Sequence, residues 1–349
     1  MLHHHYHAPP PLSCSTTIIM LHHHYHAPPP LSCSTTIIML HHHFTLRSVG
    51  EMAPLPNVHH TIPDWIEQNK KSFLPPVCNH MMHGDGQLKV FYVGGPNQRK
   101  DFHIEVGEEF FYMLKGDMNL VTLQNGAFKD VIIKEGEVFQ LPGKIPHSPQ
   151  RFADTLGLVV ERERLKTEHD CLKYYVEGTT QSLFEKWFYC EDLGTQLVPI
   201  IKEYFASEQH RTGKPIPGTI PENPPWQPDA LRIVETPFSL AKWLNKYRAE
   251  IQQEGSKRLF DLSYQSDVTV LGRGTTDLHL TKAETWLWQL EGESSVVIGK
   301  EKFVLKPQDS LLVRMDTPFS HTHGEDSLTI SIVMDPGNKE RGFTHLKKN

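Results

Sequence analysis

The chain has 349 residues, a formal net charge of −6 and 38% hydrophobic residues, about 45% once glycine is counted, which is ordinary for a globular chain long enough for two domains. The acidic balance and the lack of any Lys/Arg-rich stripe argue against a nucleic-acid partner, and no apolar run approaches the ~20 residues needed to span a bilayer. Five scattered cysteines (Cys14, Cys33, Cys78, Cys171, Cys190) without C-x-x-C spacing speak against a disulfide scaffold or structural zinc, and for a reducing, cytoplasmic setting.

Residues 1–19, MLHHHYHAPPPLSCSTTII, recur unchanged as residues 20–38, and a third copy begins at Met39 and decays at Phe44. Folded repeats vary their copies, so this His- and Pro-rich stretch (residues 1–51) is expected to be disordered low-complexity sequence, with Met52 as the natural start. PDWIEQNKKSF (Pro63 to Phe73) predicts a short helix with Asp64 near its start, ended by Pro75 and Pro76. From Gln87 to about Arg164, β-rich runs (KVFYV, FFYML, MNLVTL, VII, VFQL, GLVV) alternate with glycine turns. Short strands at close spacing without intervening helices predict an antiparallel sandwich or barrel.

SLFEKWFY (Ser182 to Tyr189) and LVPIIKEYF (Leu197 to Phe205) carry apolar residues at helical spacing and predict helices. Six prolines between Thr212 and Pro228 predict an extended linker, and SLAKWLNKYRAEI (Ser239 to Ile251) an amphipathic helix. The last hundred residues return to short strands. The organisation expected is therefore a first barrel with C-terminal helices over 52–211, a linker over 212–235 and a second barrel over 236–349.

Chemistry concentrates in two boxes, RKDFHIEVGEEFFYMLKG (Arg99 to Gly116) and GEVFQLPGKIPHSPQR (Gly136 to Arg151). They offer His103, Glu109 and His147, two imidazoles and a carboxylate, a set that suits non-haem Fe(II) with open positions for oxygen chemistry. Arg99 and Arg151 bracket the set and suggest a small carboxylated substrate, since a guanidinium grips a carboxylate with two parallel hydrogen bonds. Glu161 closes the apolar run GLVV, where a carboxylate is costly to bury unless partnered, so it is either a site residue or half of an ion pair. Glu105 and Glu108 flank Gly107 in an expected turn and read as solvated; Met81, Met82, His80 and His83 read as packing and loop. Spacing alone leaves manganese or nickel open beside iron, and another chemistry on the same barrel (a binder, an isomerase or a decarboxylase) beside oxygenation.

The boxes return in the second half. Aligning WLWQLEG (Trp286 to Gly292) on FFYMLKG (Phe110 to Gly116) gives an offset of 292 − 116 = 176, which puts His279 on His103 but Thr285 on Glu109. The second box aligns at 318 − 146 = 172, with Phe319 on His147. Two of three ligands are gone, so the repeat predicts a duplicated β-barrel whose second copy has lost its metal; His321 and His323, close by, leave an unrelated site open.

The boxes resemble the two motifs of the cupin superfamily. Glu109 is followed by six residues and Gly116, and Gly136 by five and Pro142, with His147 in place. Lys144 replaces the usual glycine, Arg151 the usual asparagine, and only one histidine of the H-x-H pair survives, its partner position falling on Asp101 or Glu105. FLPPVCN, GGPNQRKDFH, PHSPQRF, GLVVER, FEKWFYC and GKPIP extend the resemblance, from about Trp65 to near Asp335, to the animal 3-hydroxyanthranilate 3,4-dioxygenases. That resemblance implies a mainly β, single-chain bicupin, two double-stranded β-helix (jelly-roll) barrels with a few helices, and Fe(II) only in the first. It implies His103, Glu109 and His147 as iron ligands, Arg99, Arg151 and Glu161 as substrate contacts, Arg99 beside O2 and Glu161 as the catalytic carboxylate. The activity implied is ring-opening of 3-hydroxyanthranilate by O2 to 2-amino-3-carboxymuconate semialdehyde, which leads to quinolinate and NAD. A fused pair of barrels also lessens the need for a dimer, and a monomer is expected.

Overall fold

The computed structural model describes residues 56–75, 78–279 and 282–335; the tandem repeat, the expected start at Met52 and Pro76 lie outside them. Strand β1 (Val58–Thr61) and helix α1 (Ile62–Asn69) lead into β2 (Asn79–His83), β3 (Leu88–Gly94), β4 (Phe102–Ile104), β5 (Glu109–Lys115) and β6 (Met118–Gln124). β7 (Ala127–Ile133), β8 (Glu137–Leu141), β9 (His147–Arg151), β10 (Leu156–Arg162), β11 (Asp170–Tyr175) and β12 (Ser182–Phe188) follow, then α2 (Leu193–Phe205) and α3 (Glu208–Thr212). After an irregular stretch come β13 (Phe238–Ser239), α4 (Leu240–Glu254), β14 (Ser256–Arg258), β15 (Asp267–Leu271), β16 (Gly274–His279) and β17 (Thr285–Glu291). β18 (Ser294–Ile298), β19 (Glu301–Leu305), β20 (Asp309–Val313), β21 (Phe319–His323) and β22 (Leu328–Val333) complete the chain order.

The first barrel is two facing antiparallel sheets, β13-β8-β5-β10-β3-β2 and β12-β11-β4-β9-β6-β7. In the second, β20-β17-β22-β15 repeats the order β8-β5-β10-β3, and β16-β21-β18-β19 repeats β4-β9-β6-β7. The internal repeat is thus visible in the topology: β17 stands for β5 and β21 for β9. The boundary between the halves is crossed at both ends, because β1 pairs with β20 and β13 with β8.

Strand alternation explains why the sheet bearing β5 has no polar side. Phe111 and Met113 of β5 face the interior of the first barrel with Leu120, Phe139 and Val159. Phe110 of β5, with Leu158 and Val160 of β10, faces outward and packs with Trp286, Trp288, Leu312, Ile330 and Ile332 of the second barrel. The two barrels therefore share one core, closed by Ile62 and Trp65 of α1 and by Leu240, Leu244 and Ile251 of α4. The interior of the second barrel is apolar, with Leu287, Val296, Leu311 and Phe319.

Most expected elements form where the pattern placed them. Helix α1 continues as a single 3-10 turn to Phe73, and α4 is capped by the Ser239 side chain and ended by Gly255 in the left-handed conformation. The proline-rich linker contains no strand or helix between Thr212 and β13 and is tied to the first barrel by Trp226 Nε1 donating to the His169 carbonyl and the Asp229 amide donating to that of Lys144. SLFEKWFY corrects the reading: it is strand β12, not a helix, paired antiparallel with β11. Its aromatic content suits a pleated surface, and the free edge of β11 supplies hydrogen bonds that outweigh a short helical pattern. None of the helices among the described residues is long and apolar enough to cross a membrane.

Candidate metal centre

β4 and β9 are antiparallel neighbours with His103 directly opposite His147, and their rings lie 5.5 Å apart. Glu109 opens β5 in the facing sheet, on the same inward side as Phe111 and Met113. Its Oε1 is 2.9 Å from His147 Nε2, and one donor atom from each of the three residues lies within 4.8 Å of the others. An ion with bonds of ~2.1 Å separates adjacent donors by about 3 Å, so the arrangement fits a divalent metal. All three residues are buried. His147 Nδ1 faces the Ile145 carbonyl at 2.9 Å; a carbonyl can only accept, so Nδ1 carries a proton, and Nε2, the nitrogen facing Glu109, is the one available to a metal. Burial alone raises the Glu109 carboxyl, but the imidazoles of His147 and His103 and the Arg164 guanidinium outweigh it and hold it at about 2, the ionised form a metal requires.

The loop leading to His147 is pinned to the turn after His103. The Lys144 amide donates to the Glu105 carbonyl at 2.6 Å, and a Cβ on Gly143 would collide with the Val106 carbonyl oxygen. Lys144 has φ +66, which accounts for the glycine usual at this motif position: the turn demands a left-handed residue, and lysine adopts it at some strain.

The two arginines differ. Arg151 lies four residues after His147 on the same strand face, is 3% exposed, forms no ion pair with any described carboxylate, and its Nε has no hydrogen-bond partner. Burial pushes its guanidinium down to about 10 although the Glu109 charge opposes this. Arg99 instead is engaged: its Nε donates to Asp101 Oδ1 at 3.2 Å, its Nη2 pairs with Asp101 Oδ2, and the Gln150 side chain bonds both its backbone amide and its carbonyl. Glu161, on β10 and 3% exposed, accepts from Arg164 Nη1 at 2.6 Å through Oε1, while Oε2 has no hydrogen-bond partner. It is therefore both things the sequence allowed, half of an ion pair and a carboxylate oxygen left over.

Glu105 and Glu108 are buried, not solvated. Glu108 accepts the backbone amides of Gln265 and Ser266 at 2.9 and 2.8 Å, tying the first barrel to the second half, and Glu105 pairs with Arg164. Of the two candidates for the missing H-x-H position, Asp101 is taken by Arg99 and Glu105 faces Arg164. Glu105, Glu109 and Glu161 form a second close group of carboxylates, but Arg164 already lies among them. Arg164 and Asp170 were not singled out in the sequence; the charged run ERERLKTEHD after an apolar strand was the available signal. His80 stacks on Trp65 and His83 lies against His60, as packing residues. In the second barrel Thr285 and Phe319 are buried where Glu109 and His147 stand in the first, His321 and His323 bond Ser294 and Ser327, and the side chain of His279 lies outside the described residues.

The family model for 3-hydroxyanthranilic acid dioxygenase matches residues 55–205. The chain is 50% identical over 276 residues to the 3-hydroxyanthranilate 3,4-dioxygenase of Homo sapiens, covering 79% of this chain and 96% of that protein. It is 53% identical to that of Xenopus tropicalis (78% and 96% covered) and 44% identical to that of Nematostella vectensis (78% and 97%). Salicylate 1,2-dioxygenase from Pseudoaminobacter salicylatoxidans, in complex with gentisate, superposes with a TM-score of 0.51 at 13% identity, covering 82% of this chain and 85% of that one, a likeness of fold. With half its residues shared over almost the whole length of such relatives, and with the two-barrel cupin fold in place, the chain belongs to the 3-hydroxyanthranilate 3,4-dioxygenase family.

Proposed function

We propose that the chain opens the ring of 3-hydroxyanthranilate with O2, as an Fe(II)-dependent dioxygenase, giving 2-amino-3-carboxymuconate semialdehyde. The observation that supports it most is a buried Arg151, without a carboxylate partner among the described residues, in the same barrel interior as a His–Glu–His donor set. His103, Glu109 and His147 would hold the iron, which when bound supplies electron transfer between the aromatic ring and triplet O2. Among donor sets, two imidazoles and one carboxylate favour iron for this chemistry.

Arg151 receives the substrate carboxylate: a desolvated guanidinium offers two parallel donors and fixes the ring in its plane. Arg99, steadied by Asp101 and Gln150, lines the same interior beside the site of O2. Glu161 presents Oε2 to the amino–hydroxyl edge of the substrate. Burial raises its carboxyl against the pull of Arg164, which suits it to accept and return a proton at that oxygen. The apolar walls, Phe111, Phe139 and Val159, exclude water and strengthen each of these contacts. One chain carries the whole proposed site, so a monomer suffices, and the buried free thiols Cys78, Cys171 and Cys190 suit a cytoplasmic setting.

The test is oxygen uptake by the anaerobically prepared chain given Fe(II) and 3-hydroxyanthranilate. One O2 consumed per substrate is expected. Substrate binding without uptake, or turnover that persists with manganese or nickel and fails with iron, refutes the proposal.

A further inference from the structure

Behind the three candidate donors lies a second group of buried charges. Arg164, 7% exposed, is surrounded by Glu105, Glu161 and Asp170, all buried. Its Nε lies 3.1 and 3.2 Å from the two oxygens of Asp170 and its Nη2 3.0 Å from Oδ2. That same Oδ2 lies 2.8 Å from His103 Nε2. Asp170 opens β11, the strand that pairs with β4, and is fully enclosed. One carboxylate oxygen is thus shared between a guanidinium and an imidazole of the donor set.

We propose that Asp170, held by Arg164, is a positioning residue for the metal-binding imidazole of His103. The inference rests on the reading of His103 as a metal ligand. A carboxylate can only accept, so His103 Nε2 carries the proton and its lone pair is left on Nδ1, the neutral form that ligates. The bond also fixes the ring plane and makes the other nitrogen more basic, as outer carboxylates do for metal-bound histidines. Arg164, bonded to both Asp170 oxygens, keeps that carboxylate pointed at the ring. Because its other arm holds Glu161, the guanidinium also couples the metal side of the site to the substrate side.

The test is the affinity of the full-length apoprotein for Fe(II), added anaerobically against a competing chromophoric chelator. Asp170→Asn, which keeps the shape and one acceptor oxygen, is expected to weaken Fe(II) binding by about 10- to 100-fold. Glu168→Gln is the control, since Glu168 forms an equally buried pair with Arg162, at 2.7 Å, without touching His103; its Fe(II) affinity is expected to stay within about twofold of wild type. A loss under tenfold in Asp170→Asn, or equal losses in both variants, overturns the inference, the second because it reports only damage to the barrel. Should Asp170→Asn fail to fold, Arg164→Lys, which keeps the charge but loses the fork, is expected to weaken Fe(II) by the same range, and an unchanged affinity there overturns it equally. If the wild-type chain binds no Fe(II), the metal reading falls and this inference with it; if wild type binds and Asp170→Asn binds as well, only the positioning role falls.

Discussion

Replacing Arg151 by methionine should make the protein more stable and less able to bind substrate. Burial pushes the guanidinium down from its ordinary range to about 10, and a drop of that size corresponds to about 3 kcal/mol against the charged form in the folded state. At neutral pH the group is charged whether the chain is folded or not, so the whole of that cost bears on the fold. Methionine keeps most of the volume and removes the charge, but it gives up the contacts of the guanidinium with its surroundings. A net gain of about 1–2 kcal/mol is therefore expected in the apoprotein, readable as a rise in urea midpoint at unchanged slope. Substrate binding should move the other way, because a buried two-pronged bond to a carboxylate is lost, with KM rising about 100-fold or more. Metal content should stay at wild-type level. Loss of more than about 1 kcal/mol of stability with an unchanged KM would show that Arg151 is a structural cation and sink the carboxylate assignment.

His147→Ala should abolish metal binding and turnover together, measured by metal content after anaerobic loading; full retention of metal refutes the ligand assignment. Glu161→Gln should retain metal and bind substrate but lower kcat by about 100-fold or more, checked by steady-state oxygen uptake. Phe319→Ala should destabilise the protein by roughly 3–5 kcal/mol through a cavity in the second barrel, with metal affinity unchanged. Acid should destabilise the fold through His323, which burial depresses from 6.5 to about 4: neutral when folded, it takes a proton below about 6.5 when unfolded, so stability present above that pH falls as pH drops toward about 4. By about pH 5 the loss is about 2 kcal/mol, and His323→Gln should remove that part of the slope in urea titrations.

The fold and the grouping of the three candidate donors were legible because they rest on local spacing. Alternation marks strands, and His103, Glu109 and His147 sit in boxes whose glycines and prolines fix the turns. What the sequence hid depends on pairing. SLFEKWFY reads as helical in isolation, and only the open edge of β11 makes it β12. Glu105 looked solvated because Gly107 suggested a free turn, but that turn is pressed under the Lys144 loop. Arg164 and Asp170 carry no motif, and their meaning appears only when β11 brings Asp170 against His103 with Arg164 bonded to its other side. The difference between Arg99 and Arg151 was equally invisible, since it lies in side-chain direction: Asp101, two residues on, meets the Arg99 guanidinium, and no described carboxylate pairs with that of Arg151.

The asymmetry of the duplication follows from which face of each sheet is constrained. On β17, Thr285 and Leu287 point into the second barrel, and Trp286 and Trp288 toward the first. The inward positions are given to apolar packing: Thr285 and Phe319 stand where the first barrel has Glu109 and His147, and Phe319 fills the interior. The outward residues could not change so freely. Phe110, Leu158 and Val160, on the strands that bear or adjoin Glu109 and Glu161, are covered by Trp286, Trp288, Ile330 and Ile332. Exposing such side chains costs about 1.5–3 kcal/mol each, comparable in sum with the whole stability of a domain. A second barrel without that donor set is therefore still indispensable, because the sheet that positions Glu109 is the sheet it keeps dry.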